Sequence, residues 1–437
     1  MMKIAIAGTG YVGLVAGVCF ADKGYHVTCV DIDEKKVALM REGFSPIYEE
    51  GLEELIRKNN ELGTLHFTTD YKEAYRLADV IFIGVGTPEL PDGNANLSYI
   101  AGVSRQIAES IEKDCLIVVK STVPVGTNDK VEQFIKDFLV NDVKVEVASN
   151  PEFLAQGTAV YDTFHAARII IGTESKEAEA LLLKIYEPFG LPIISVKRRS
   201  AEMIKYACND FLALKISYMN DVANLCELVG ADIDDVAKGM SYDERIGSRF
   251  LNAGIGFGGS CFPKDTKALE YIAQNYGYRL QTVEASVAVN NRQKTRLYEK
   301  AKKRMITFEG LKVAILGLAF KAGTDDMREA PAIDNLNLLL AQGAHITAYD
   351  PKAIERARID FPVGKISNGI MSYTDDPFTA LKDAHICFIF TEWAEIKRIK
   401  PHEYRDNMHT PLVYDGRNLY NPASMKEAGI EYYSIGR

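Results

Sequence analysis

Lys3-Ile4-Ala5-Ile6-Ala7 is a short apolar run, and Gly8-Thr9-Gly10-Tyr11-Val12-Gly13 follows it without a gap. An apolar helical segment then runs from Leu14 to about Asp22. Gly24 stops it, and His26-Val27-Thr28-Cys29-Val30-Asp31 reads as a second strand. G-x-G-x-x-G alone constrains little. Between a strand and a helix, with an acid about 20 residues on, it specifies the βαβ start of a doubly wound sheet. Gly8, Gly10 and Gly13, with Tyr11 and Val12 between them, let a pyrophosphate approach the helix N-terminus. There the free N–H groups and the helix dipole favour anions. Asp31 ends the second strand, where a carboxylate accepts both ribose hydroxyls and repels a 2′-phosphate. The expected cofactor is therefore NAD rather than NADP. Asp33 is a rival for that role, but it lies past the strand end.

Further strands are expected at Val80–Val85, Leu116–Lys120 and Lys144–Ser149. Ligands of open α/β sheets lie beyond the carboxyl ends of the strands, which makes Thr87 and Thr122 candidates for contact. From Ala201 to about Leu228 the pattern is one long helix, apolar on more than one face, suited to linking two domains and to a subunit contact. Past Lys300 the opening pattern returns. Lys312-Val313-Ala314-Ile315-Leu316-Gly317 echoes the first strand, and His345–Asp350 echoes His26–Asp31. This copy has no G-x-G-x-x-G, so it is expected to hold one nucleotide half of another ligand. A further strand is expected at Leu381–Phe390. The fold class is α/β: two doubly wound Rossmann-like domains joined by a long central helix. The expected divisions are 1–200 for the dinucleotide domain, 201–300 for the central helical and dimerisation region, and 301–437 for the second nucleotide domain.

The chain has 437 residues, 25% of them charged, with a net charge of −9. Nucleic acid and membrane surfaces are not expected partners. Lys197-Arg198-Arg199 is a short basic run of the kind that is usually solvated. The seven cysteines are scattered without C-x-x-C spacing, which argues against a metal site and a disulfide framework. A reducing cytoplasm is the expected location. No run approaches the roughly 20 apolar residues of a membrane helix, and the N-terminus opens on a strand rather than a signal segment.

One cysteine stands apart. Gly254-Ile255-Gly256-Phe257-Gly258-Gly259-Ser260-Cys261-Phe262-Pro263-Lys264-Asp265 presses bare backbone close to a ligand and presents a sulfur beside a lysine and an aspartate. Oxidising an alcohol with NAD needs a base but no thiol. A thiol becomes useful when the resulting aldehyde must be oxidised again, through a thiohemiacetal and a thioester that water hydrolyses. That chemistry requires a base, a cation for the oxyanion and a positioned water. Glu152 can accept a proton or position the water. Lys205 and Asn209, at i and i+4, share one helix face and can stabilise an oxyanion. Asp265 can orient Lys205 or the water, and Thr122 can hydrogen-bond the same water.

AGTGYVG, KSTVPVGT, NPEF, the Lys205/Asn209 helix, FLNAGIGFGGSCFPKD and LGLAFKAGTDDMREAP span nearly the whole chain. Together they resemble the UDP-glucose/GDP-mannose dehydrogenase family. The resemblance implies cofactor contacts at Val12, Asp31, Lys36, Thr87 and Thr122, and at Gln156, Lys264 and Arg328. It implies sugar-nucleotide contacts at Glu152, Phe153, Leu154, Ala155 and Gln156, and at Lys205 and Asn209. Further such contacts are implied at Phe250, Leu251, Asn252, Ala253 and Gly254, and at Gly258 and Lys321. Catalytic roles fall on Cys261, Lys205, Asn209, Asp265, Thr122 and Glu152. The implied reaction is NAD-dependent, two-step, four-electron oxidation of UDP-glucose to UDP-glucuronate by a homodimer or higher homo-oligomer. The alternatives are another sugar nucleotide such as GDP-mannose, or a non-catalytic NAD and sugar-nucleotide sensor. Members of the family commonly carry a second glutamate four residues after the Glu of NPEF. This chain has Gln156 there, which cannot serve as a base, so that task falls to Glu152, to water, or to nothing.

Overall fold

A computed structural model describes residues 2–437. The chain forms two compact units, one ending at Cys208 and the other beginning at Asn209. The first holds strands β1 (Lys3–Ala7), β2 (His26–Val30), β3 (Leu65–Thr68), β4 (Val80–Ile83), β5 (Cys115–Val119), β6 (Val145–Ser149), β7 (Ile169–Gly172) and β8 (Ile193–Val196). Their order in the sheet is β3-β2-β1-β4-β5-β6-β7-β8. The first six are mutually parallel. β7 meets β6 antiparallel, through Ser149 and Gly172, and β8 then runs parallel to β7.

Alternation explains how so apolar a set of strands sorts itself. Ile4, Ile6, Phe82 and Val118 point into one core, and Ala5, Ala7, Ile81, Ile83 and Ile117 into the other. Both faces are covered, as a parallel sheet requires. The first helix spans Tyr11–Asp22, beginning inside the glycine motif rather than at Leu14. A Cβ on Gly13 would stand 2.0 Å from the Gly8 carbonyl oxygen, so only glycine lets this helix start so close to the strand.

The second unit repeats the opening with strands β9 (Lys312–Leu316), β10 (His345–Tyr349), β11 (Gly364–Ile366), β12 (Gly369–Thr374), β13 (Ile386–Ile389), β14 (Leu412–Asp415) and β15 (Glu431–Tyr433). Their order is β11-β12-β10-β9-β13-β14-β15, parallel except for β11 against β12. The echo extends to single atoms. Gly8 N–H donates to Val30 O at 2.8 Å, and Gly317 N–H donates to Tyr349 O at 2.8 Å. The copies diverge after the strand, because the helix following β9 begins only at Pro331. Asp350, the counterpart of Asp31, is buried and saturated. It accepts from the N–H groups of Leu318 (2.7 Å), Ala319 (3.1 Å), Lys352 (2.9 Å) and Ala353 (2.8 Å), and from Trp393 Nε1 (3.0 Å).

Two local expectations change. Within 381–390 only Ile386–Ile389 is strand, and Pro377–Leu381 before it is helix. The basic run is not simply solvated either. Arg198 opens the central helix, its side chain 14% exposed, and pairs with Glu132, with Glu174 at 2.6 Å and with Asp129 at 3.3 Å. The central helix itself is 32 residues long, Arg198–Val229. Among the described residues no helix is long and apolar enough to cross a membrane.

Candidate active site

At the glycine motif, Asp31 Oδ2 accepts from the Thr9 N–H at 2.9 Å and from the Thr9 hydroxyl, while Oδ1 accepts from the Asp33 N–H at 3.0 Å. Partial burial opposes ionisation. The Thr9 hydroxyl, the Asp33 and Thr9 N–H groups and the charge of Lys36 outweigh it and hold this carboxyl below the usual range. Asp33 is used otherwise, capping the helix Glu34–Arg41 through the N–H groups of Lys35 and Lys36. Tyr11 is tied to the far end of the unit. Its hydroxyl lies 2.7 Å from Glu49 Oε2 and 2.8 Å from Ala155 O. Glu49 also accepts from Gly157 N–H (2.8 Å) and Ala159 N–H (2.6 Å), so this buried acid anchors the loop that carries Ala155 and Gln156.

Beyond the carboxyl ends of β4, β5 and β6 the chain gathers buried polar groups. The Thr87 hydroxyl donates to Thr122 O at 2.9 Å, joining two residues named separately from sequence. Glu202, one turn before Lys205, accepts from the N–H groups of Gly126 (2.6 Å) and Asn128 (2.8 Å) and so fastens the loop after Thr122. Glu152 and Lys205 are both buried and lie 3.0 Å apart. Glu152 also accepts from the Leu154 N–H at 2.6 Å. Burial pushes the Glu152 carboxyl up, but Lys205, the Leu154 N–H and Lys120 together bring it below the ordinary range. Phe153 lies under two cations, Arg168 at 3.8 Å and Lys205 at 5.4 Å from its ring centroid.

Lys120 was read from sequence only as the end of a strand. It is buried, and its Nζ donates to Asn150 Oδ1 at 2.9 Å and lies 3.4 Å from the Tyr186 hydroxyl. Burial lowers its ammonium to about 8; nearby Glu152 opposes that shift and Lys205 adds to it. The available signal was a lysine directly after five apolar strand residues, a position that is costly unless the charge meets a partner. Glu49 and Glu202 carried no comparable signal, because what they hold lies far along the chain.

In the second unit, Cys261 is the N-cap residue of the helix Phe262–Asn275, with Pro263 in its first turn. Among the described residues it is the one exposed cysteine. Asp265 is buried and accepts from Asn209 Nδ2 at 2.6 Å and Lys264 Nζ at 2.5 Å, which unites three of the sequence candidates. Side-chain amides fix the glycine run. Gly254 N–H donates to Asn220 Oδ1 (2.8 Å) and Gly254 O accepts from Gln293 Nε2 (2.7 Å). Asn290 pairs with both backbone groups of Phe257, at 2.8 and 3.0 Å. A Cβ on Gly258 would lie 2.4 Å from Glu329 O, so the run packs backbone against backbone. Gly259 N–H donates to Arg328 O at 2.7 Å, while the Arg328 side chain grips Asp326. Phe250 takes a left-handed φ of 65°, Leu251 and Ala253 are buried, and Asn252 is exposed. Lys321 Nζ lies 5.7 Å from the Phe320 ring centroid.

The Lys120 environment makes a prediction with a defined sign. The folded chain releases this proton near pH 8, whereas an unfolded lysine holds it to about pH 10.4. Wild type should therefore gain stability relative to Lys120→Met as pH rises from about 8 toward about 10. Urea midpoints for both proteins across that range test it; a difference that does not change with pH contradicts the assignment.

Comparison with known proteins agrees with this architecture. The UDP-glucose/GDP-mannose dehydrogenase family models match its NAD binding domain over residues 2–190, its central domain over 199–292 and its UDP binding domain over 314–422. The chain is 49% identical over 436 residues to the UDP-glucose 6-dehydrogenase YwqF of Bacillus subtilis, covering 100% of this chain and 98% of that one. It is 44% identical over 444 residues to the UDP-glucose 6-dehydrogenase of Rhizobium meliloti, covering 100% of both. Among solved structures it matches a UDP-glucose dehydrogenase from the archaeon Pyrobaculum islandicum with a TM-score of 0.92 and 37% identity, over 99% of this chain and 97% of that one. The chain belongs to the UDP-glucose/GDP-mannose dehydrogenase family.

Proposed function

We propose that this chain oxidises C6 of UDP-glucose to the carboxylate of UDP-glucuronate, with NAD as hydride acceptor in two successive steps. The observation that carries the reading is the placement of Cys261. It is an exposed thiol at a helix N-terminus, where the dipole favours negative charge, at the end of a glycine-rich run whose glycines have no room for a Cβ. Bound NAD supplies a hydride acceptor, once for the alcohol and once for the thiohemiacetal. Gly8, Gly10, Tyr11, Val12, Gly13 and Asp31 fit its pyrophosphate and ribose, with Lys36, Thr87, Thr122, Gln156, Lys264 and Arg328 as further contacts.

The residues then divide the work. The Cys261 thiolate adds to the aldehyde carbon, and the new oxyanion is stabilised by Lys205 and Asn209. Loss of a second hydride leaves a thioester on Cys261. Water held by Thr122 and Glu152 attacks it, expelling the sulfur and releasing the acid. The buried ion pair with Lys205 keeps Glu152 ionised, ready to take the proton of that water. Asp265 holds Asn209 and Lys264, one turn of helix after Cys261. Glu152–Gln156, Phe250–Gly254, Gly258 and Lys321 are the proposed sugar-nucleotide contacts, with the UDP half assigned to residues 301–437, the NAD half to 1–200 and the thiol to 201–300. A sister activity on GDP-mannose is the nearest alternative, and a panel of sugar nucleotides separates the two. A reducing cytoplasm suits a catalytic thiol.

The working form is proposed to be a homodimer. Phe211, Tyr218 and Leu225 recur every seven residues on the central helix and are 60, 56 and 56% exposed, an apolar stripe suited to a second copy. Phe211→Glu with Tyr218→Glu should give a monomer by light scattering, where wild type gives a dimer or larger. A monomeric wild type at micromolar concentration would refute this.

Stoichiometry tests the chemistry. Wild type should yield two NADH per limiting UDP-glucose with no free aldehyde, and Cys261→Ala should bind both ligands but not sustain acid production. One NADH per substrate in wild type, or full acid production by the alanine variant, would sink the covalent route.

A further inference from the structure

Asp210 follows Asn209 on the central helix and is used by none of the steps above. Its residue is 6% exposed, and neither carboxylate oxygen has a hydrogen-bond partner among the described residues. An ionised carboxylate in such a place would lack water and every donor but its own backbone N–H, at a cost that ordinary packing does not repay. The face it occupies continues through Ala213, Ser217 and Asn220, all buried, and Ser217 Oγ donates to Ser286 O at 2.8 Å on the helix Gln281–Lys294. That helix holds Glu284 on Arg279 at 2.6 Å and Lys294 on Glu329 at 2.6 Å. The ionisable group that acts on Asp210 is Asp265, on the helix Phe262–Asn275, itself bound to Asn209 and Lys264.

We propose that Asp210 is a positioning residue that works as a neutral acid, leaving Asp265 the single anion beside Asn209, and that its ionisation in alkali disables the cysteine site. The second clause rests on the function proposed above; the first does not. Burial, and after it the charge of Asp265, raise this carboxyl to about 8. Below that value the group is an uncharged acid buried at little cost. Above it, a second carboxylate faces Asp265 and weakens the Asn209–Asp265 bond that lies four residues from Cys261.

The sign for stability follows from linkage. An unfolded aspartate loses its proton near pH 4, and the folded chain keeps this one to about pH 8. Wild type should lose stability between those values relative to a variant that cannot ionise, and the gap should level off above about pH 8. The test uses wild type, Asp210→Asn and, should the amide disturb folding, Asp210→Ala. Thermal unfolding is followed from about pH 5 to 9.5, and NADH formation from UDP-glucose from about pH 7 to 9.5. The Tm of the Asn variant minus that of wild type should grow with pH and then plateau. The ratio of its rate to that of wild type should rise by about 30-fold between pH 7 and 9.5, the factor by which a neutral acid with a pKa near 8 is depleted. A Tm difference independent of pH overturns the neutral acid. A pH-dependent Tm difference with a flat rate ratio overturns its role at the site. Absence of NADH from wild type at every pH would refute the function proposed above, while the Tm series would still decide the protonation of Asp210.

Discussion

The four glycines among residues 254–259 govern how this protein places its sulfur. Without Cβ atoms, Gly254, Gly256, Gly258 and Gly259 approach Gly416 O, Asn290 Oδ1, Glu329 O and the Phe320 ring to distances that no other residue tolerates. Asn220, Asn290 and Gln293 satisfy the backbone groups this exposes. A flexible glycine run thus becomes a fixed one, because helix-borne amides and the carbonyls of Gly416 and Arg328 take up its backbone groups. Cys261 follows at the point where the chain turns into a helix, so its position is inherited from the packing behind it.

A second constraint is the number of charges each unit buries. Glu152 lies among two lysines, so the anion is compensated and one cation is left to respond to charge that develops nearby. Lys120 has Asn150 and Tyr186 as neutral partners, which is why its proton is loosely held. Asp265 has the opposite arrangement, one carboxylate bound by an amide and an ammonium. Glu202, Lys205 and Asn209 lie three and four residues apart on one helix, and each holds a different segment of chain or side chain. A rigid helix is a sound carrier for such groups, since its geometry does not depend on what they bind.

How much was legible depended on whether a feature is local. The strand, glycine motif and helix of residues 3–22 carry their own spacing, as does the echo at 312–350, and these elements are present, with the first helix starting at Tyr11 rather than Leu14. Strands β3, β7 and β8 escaped notice; β3 alternates buried with exposed residues and β8 is only half-buried, so neither forms a continuous apolar run. Arg198 looked like part of a solvated run because its acids, at 129, 132 and 174, are remote in sequence. Glu49 escaped for the same reason, its backbone donors Gly157 and Ala159 lying more than 100 residues later and Tyr11 lying 38 residues earlier. The rivalry of Asp31 and Asp33 could be narrowed only by position along the strand, whereas the backbone geometry shows Asp33 engaged as a helix cap. Residue types announce chemistry, and long-range packing decides which of them are held in place.

The claim on which the rest turns is that Cys261 is bonded to the substrate carbon between the two oxidations. Acid quenching during turnover of UDP-glucose and NAD, followed by peptide mapping by mass, tests it directly. The account predicts a transient UDP-glucuronyl acyl group on the peptide containing Cys261, absent without NAD and absent from the peptides of the other six cysteines. Steady formation of the acid with Cys261 unmodified at every quench time, or the acyl group on another residue, would contradict it.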